Sequence, residues 1–150
     1  MKKQMVVAGA VALTLGLGGP ALADEQIAYT VVEDGIPQAL TSEAGNPERG
    51  REVMINRKEG NCLACHAISA LSDQPFHGEV GPTLDGVAER WEVPQMRLLV
   101  VNSKEVFEDT IMPAFYKAEG YNRVAKKFDG KSILTAQQVE DVIAFLQTLK

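Results

Sequence analysis

Hydrophobic and polar positions divide the chain into a leader, an arm and three helical stretches joined by loops. The leader is a mostly apolar run, MVVAGAVALTLGLGG from Met5 to Gly19, with Lys2 and Lys3 ahead of it and Ala21, Leu22 and Ala23 behind. A basic start, an apolar stretch and small residues at a cut position define a secretory signal peptide, so residues 1–23 are expected to leave before Asp24. An uncleaved anchor is the alternative, but the run is glycine-rich and short for a span of about 20 apolar residues. Residues 24–45 mix turn formers with one apolar patch, IAYTVV, and read as an arm or a short strand.

From Asn46 the spacing becomes helical. Asn46 is a good N-cap and Pro47 suits a first turn. The stretch PERGREVMINRKEG is expected to stay helical until near Gly60. Gly50 inside it costs about 1 kcal/mol against alanine; a close crossing by another helix would justify that, and Phe145 is the residue expected over it. A second helix is predicted over PQMRLLVVNSKEVF. The last covers LTAQQVEDVIAFLQTLK, with Thr135 and Gln138 as a capping box and Leu134 with Val139 as a hydrophobic staple. Val139, Val142, Ile143, Leu146 and Leu149 form its apolar face. The connecting stretch GEVGPTLDGVAERW has few periodic positions, and a long wrapped segment is unusual in a small domain.

Composition narrows the function. At 150 residues, 45% hydrophobic and 23% charged, the chain suits one compact domain with some extra length. A formal net charge of −5 with mixed signs argues against nucleic acid, whose phosphates need a basic surface. Loss of Lys2 and Lys3 with the leader makes the mature chain more acidic still. No arginine pair precedes the apolar run, which favours the general export route, and the mature chain is expected in an oxidising compartment.

The chemistry is concentrated in EGNCLACHAI. It holds the only two cysteines, Cys62 and Cys65, followed directly by His66, one of two histidines. A Cys62–Cys65 disulfide would close a tiny loop and stabilise little. A redox dithiol uses this spacing, but such motifs follow a strand in a βαβ setting, which this sequence lacks. Zinc needs about four ligands, and only His77 remains to help. The reading that uses every residue is covalent haem c. Positions 62, 65 and 66 share one side of a helical turn, so two thiols can bond the porphyrin vinyl groups and His66 can reach the iron.

Four side chains could complete the iron. Met54 and Met96 lie in dense helical stretches and read as core. His77 lies among turn residues and reads as a solvated loop group. Met112 opens MPAFY, where Pro113 fixes the chain in an extended form. It is favoured as the sixth ligand over the common role of core filler. A thioether is soft and raises the reduction potential relative to two histidines. With both axial positions filled, the site transfers electrons and excludes substrate.

The order of these parts is similar to class I cytochromes c over residues 46–150. More narrowly it resembles the SoxX family, small cytochrome subunits of the SoxAX complexes of bacterial sulfur oxidation. The residues that carry the resemblance are GNCLACHAI, GEVGPTLDGVAERW, TIMPAFY and GKSILTAQQVEDVIAFLQTLK. The resemblance implies an all-α, class I cytochrome c-like fold wrapped round one haem, with an irregular N-terminal arm. It implies His66 and Met112 as axial ligands, Cys62 and Cys65 as haem attachment points, and the Pro82 carbonyl as acceptor for the His66 ring N–H. Arg90 or Trp91 is implied to contact a haem propionate, with plain packing the alternative for Trp91. The implied partners are a SoxA-like cytochrome carrying the catalytic haem, a SoxYZ carrier to which thiosulfate is joined, and a soluble cytochrome acceptor, all in the periplasm. The competing expectations are a free-standing periplasmic cytochrome c and a haem-free thiol–disulfide oxidoreductase.

The middle of the chain has few large apolar residues, so the porphyrin is expected to supply missing core. A Cys62→Ala, Cys65→Ala export product should therefore be largely unfolded by circular dichroism. Native-like helix content in that product would contradict the expectation.

Overall fold

The computed structural model describes residues 26–150; the expected signal peptide over residues 1–23 lies outside them. The helices are α1 (Pro47–Ile55), α2 (Val87–Arg90), α3 (Val93–Asn102) and α4 (Ala136–Leu146), joined by loops and short 3-10 turns. Among the described residues the only β-pairing is an isolated bridge, Val32 with Gly35.

Local chemistry explains where the helices begin and end. Asn46 Oδ1 accepts the Arg49 N–H at 2.8 Å and starts α1. The helix ends at Ile55, well short of the expected Gly60. Asn56 turns to an extended conformation (φ −74°, ψ 114°) and its side chain accepts the Lys58 N–H at 3.0 Å. An asparagine that satisfies a nearby backbone donor competes with the helix it follows. α3 opens on a capping box between Glu92 and Gln95 and gives way at Ser103 to a 3-10 turn instead of continuing to Phe107. α4 carries the expected box: the Gln138 N–H donates to Thr135 Oγ1 at 3.2 Å and the Thr135 N–H to Gln138 Oε1 at 2.9 Å. Leu134 and the α4 positions Val139, Val142, Ile143 and Leu146 are buried, as are Leu149 beyond the helix end, Met54 and Met96.

α1 and α4 cross with their backbones nearly touching. A Cβ on Gly50 would lie 2.0 Å from the Asp141 carbonyl oxygen and 2.9 Å from Phe145 Cβ, and one on Gly45 would lie 2.1 Å from the Glu140 carbonyl oxygen. Any side chain at either glycine would force the helices apart, so Gly50 sits under Phe145 for the steric reason expected.

Two adjacent acids on α4 fasten the rest. Asp141, 2% exposed, accepts from Arg49 Nε at 2.8 Å and from the Asn46 N–H at 2.8 Å. Burial alone would raise its pKa, but the Arg49, Asn46 and Gln137 hydrogen bonds outweigh that and hold it low. Glu140 faces the other way, into a buried fork with Arg97 at 2.8 and 3.0 Å. The same pair grips the arm: Arg97 Nη1 donates to the Ile36 carbonyl at 2.6 Å and the Leu40 N–H to Glu140 Oε1 at 2.9 Å. The arm is irregular, yet Ile36 is fully buried and Leu40 is 4% exposed.

Glu140→Gln removes one charge of this buried pair and leaves the Arg97 guanidinium uncompensated. The expected loss is about 3 kcal/mol, since breaking one side of a buried pair strands the other charge. Urea unfolding should show it as a lower midpoint, and limited proteolysis should cut earlier around residues 36–40. An unchanged midpoint would contradict the assignment.

Candidate functional site

The site begins where α1 releases the chain. Asn61 adopts a left-handed conformation (φ 49°) and turns it into a short 3-10 helix, Cys62–Ala64. The Cys65 and His66 N–H groups both donate to the Cys62 carbonyl, at 3.1 and 3.0 Å. This single helical turn carries Cys62, Cys65 and His66 on one side. Both cysteines are unpaired. Burial pushes the Cys62 thiol up to about 12. Thiol exchange requires a thiolate, and burial works against that form at Cys62. Among the described residues no group of three or more His, Cys, Asp or Glu side chains is arranged to hold a metal ion.

The glycine-rich loop after the motif runs alongside it. Gly78 N–H donates to Leu63 O at 2.7 Å, Gly81 N–H to Cys65 O at 2.8 Å and Leu84 N–H to Ala67 O at 3.0 Å. Gly81 lies flat against the imidazole, where a Cβ would come 2.3 Å from His66 Cε1. The loop then places the Pro82 carbonyl 2.7 Å from His66 Nδ1. That contact requires the proton on Nδ1, which fixes the ring and leaves the Nε2 lone pair to bind a metal.

Arg90 and Asp85 hold this loop. Arg90 donates from Nη1 to Asp85 O at 2.6 Å and from Nη2 to Thr83 O at 2.9 Å. Asp85 accepts from Ser69 Oγ at 2.6 Å and from the Ser69 N–H at 2.8 Å. His77, read from sequence as a solvated loop group, does something different. Its Nδ1 accepts the Ile68 N–H at 3.1 Å and its Nε2 donates to Leu71 O at 3.0 Å. Both ring nitrogens are committed to main chain, so His77 braces the turn behind the motif. Trp91 packs edge-on against Phe107, with ring centroids 6.3 Å apart.

Met112 belongs to a second group, built on the end of α3. Its side chain is half-buried against the core. Its carbonyl accepts from Ser103 Oγ at 3.0 Å and from Lys104 Nζ at 2.7 Å, and its N–H donates to Thr110 Oγ1 at 3.2 Å. Beyond Pro113, the Phe115 and Tyr116 N–H groups return to the Val100 and Val101 carbonyls. The structure therefore brings Cys62, Cys65, His66, Pro82 and Arg90 into one assembly and Met112 into another. The Ser69–Asp85 link, the His77 brace and the Ser103–Lys104 grip had no spacing signal in the sequence.

This donor set fits haem c. It offers two unpaired thiols one turn apart, an imidazole held by one nitrogen with the other free, and a thioether on a pinned segment. Val80 and Ile111, 67% and 77% exposed, flank Gly81 and Met112 and present apolar surface of the kind a porphyrin covers.

The cytochrome c family model matches residues 47–150. The chain belongs to the cytochrome c family, has its all-α class I fold and carries covalent haem c. A comparison with curated proteins finds no match. Among solved structures, a chain of the crystal structure of SoxXA from P. pantotrophus is 47% identical with a TM-score of 0.76, over 85% of this chain and 97% of that one. Within the family, this is a SoxX-type cytochrome, an electron-transfer protein of sulfur oxidation. No helix among the described residues is long and apolar enough to cross a membrane.

The Asp85 link makes the site acid-sensitive. Hydrogen bonds from the Ser69 hydroxyl and N–H, with help from Thr83 and the Arg90 charge, hold its carboxyl below the usual range. A depressed carboxylate stabilises the fold above its unfolded pKa of about 3.9 and loses that contribution as pH falls through the folded value. Urea titrations between neutral and strongly acid pH should show a smaller acid-induced loss for Asp85→Asn than for the parent. Coincident profiles would mean the carboxylate is not engaged.

Proposed function

We propose that the chain is the non-catalytic electron-transfer subunit of a SoxAX-type complex in the periplasm, reached through the signal peptide at residues 1–23. Haem c supplies a one-electron couple at its iron. Cys62 and Cys65 would hold it by thioether bonds, and His66 would bind the iron through Nε2. The observation that carries this reading is the His66 Nδ1 contact with Pro82 O, on the same turn as two unpaired thiols. It fixes the tautomer and makes Nε2 the more basic ligand atom. Met112 would supply a second protein ligand to the iron through its thioether. Its segment is pinned at the carbonyl and the N–H, so the thioether is presented from a preset backbone.

With His66 and Met112 both bound to the iron, thiosulfate would have no coordination site on this subunit. The bond-forming step then falls to a SoxA-like partner, where thiosulfate is coupled oxidatively to the SoxYZ carrier. This chain takes up the released electrons and passes them to a soluble cytochrome. Support for a partner comes from the SoxXA structure, which is a complex by its name. Arg90 holds the Pro82 loop through two main-chain carbonyls and keeps its remaining N–H groups for a haem propionate. Trp91 packs beside it against Phe107.

Met112→Ala should keep its covalent haem, lose the red-edge absorption band of ferric thioether ligation and shift to a lower potential. Survival of that band would remove Met112 from the site. A tagged pull-down from native periplasm should bring a second haem subunit and show thiosulfate-dependent haem reduction. Recovery of a lone monohaem chain would favour the free-standing carrier.

A further inference from the structure

Lys104 does something unusual for a surface lysine. Its ammonium has three carboxylates within five residues along the chain, Glu105, Glu108 and Asp109. It pairs with none of them among the described residues and donates instead to two main-chain carbonyls, Thr110 O at 2.9 Å and Met112 O at 2.7 Å. Ser103, 1% exposed, adds its hydroxyl to the same Met112 oxygen at 3.0 Å. Two donors from the end of α3 thus converge on one carbonyl. The next residue, Pro113, has no N–H with which to tie the chain there.

We propose that Lys104, supported by Ser103, is the positioning residue for the Met112 ligand. The pair sets how often the thioether leaves the iron and hence how well the site resists foreign ligands. This rests on the reading of Met112 as an axial ligand. The physical argument is pre-organisation. A methionine side chain has three rotatable bonds and finds its target reliably only from a fixed main chain. The ammonium holds that main chain by charge-assisted bonds, stronger than neutral ones. The 3-10 turn Ser103–Glu105 then has a clear use. It ends α3 at the point where two consecutive side chains can both reach the Met112 segment.

The test uses the holoprotein. Imidazole is added to the ferric form, and its entry is followed by loss of the red-edge thioether band. Thermal unfolding is measured in parallel. Lys104→Met keeps the aliphatic length and removes every donor. It should bind imidazole about threefold to tenfold faster than the parent, as expected for loss of the exposed charge-assisted bond that holds the Met112 carbonyl. Lys104→Arg should restore the parent rate. Ser103→Ala should move in the same direction as Lys104→Met. A Lys104→Met protein that melts earlier yet admits imidazole at the parent rate would reduce Lys104 to a structural role and overturn the proposal. If the parent itself lacks the band, or Met112→Ala retains it, the ligand assignment fails instead.

Discussion

The contact between the first and last helices is the constraint on which the rest of the molecule depends. Gly45 and Gly50 let α4 approach until main-chain atoms touch, and two neighbouring acids on α4 then reach in opposite directions. Asp141 secures the start of α1 through Asn46 and Arg49. Glu140 secures α3 through Arg97 and the arm through Leu40. The ends of α1 and α3 carry the functional parts. α1 hands the chain to the cysteine turn, and α3 hands it to the residues that grip Met112. A glycine pair and an acid pair, both remote from the iron ligands in sequence, thereby set the frame in which those ligands are presented.

Each proposed iron ligand is steadied through a main-chain carbonyl, by opposite devices. For His66 the carbonyl belongs to the loop, and Pro82 O takes the ring proton. For Met112 the carbonyl is the ligand's own, and side chains of α3 take hold of it. The imidazole needs an oriented ring and a defined tautomer, which an acceptor at Nδ1 supplies. The thioether has no proton to place, so only its backbone can be fixed.

Much of this was legible in the sequence where the chemistry is local. The Asn46 cap, the Thr135–Gln138 box and the apolar face of α4 follow from short-range rules, and the structure has them. Gly50 was legible because a glycine inside a helix calls for a close crossing. The cysteine and histidine spacing specified its own turn. The end of α1 was misjudged because an asparagine side chain outcompeted helix continuation at Asn56. His77 was misjudged because its partners, Ile68 and Leu71, are main-chain groups of a turn that leaves no pattern. The Glu140–Arg97 pair was invisible because a buried acid in an apolar helix looks, in sequence, like an ordinary exposed one.

The bonds that close the frame are very long in sequence. Leu40 waits for Glu140, 100 residues later, and Asn46 for Asp141, 95 later. Contacts so distant along the chain form late, because the intervening polymer must first be gathered at an entropic cost. A polypeptide that emerges N-terminus first therefore cannot form these bonds until residues 140 and 141 have appeared. Until then the frame that holds the cysteine turn and the Met112 segment is incomplete. The order in which the frame closes is written into the sequence distance between those partners.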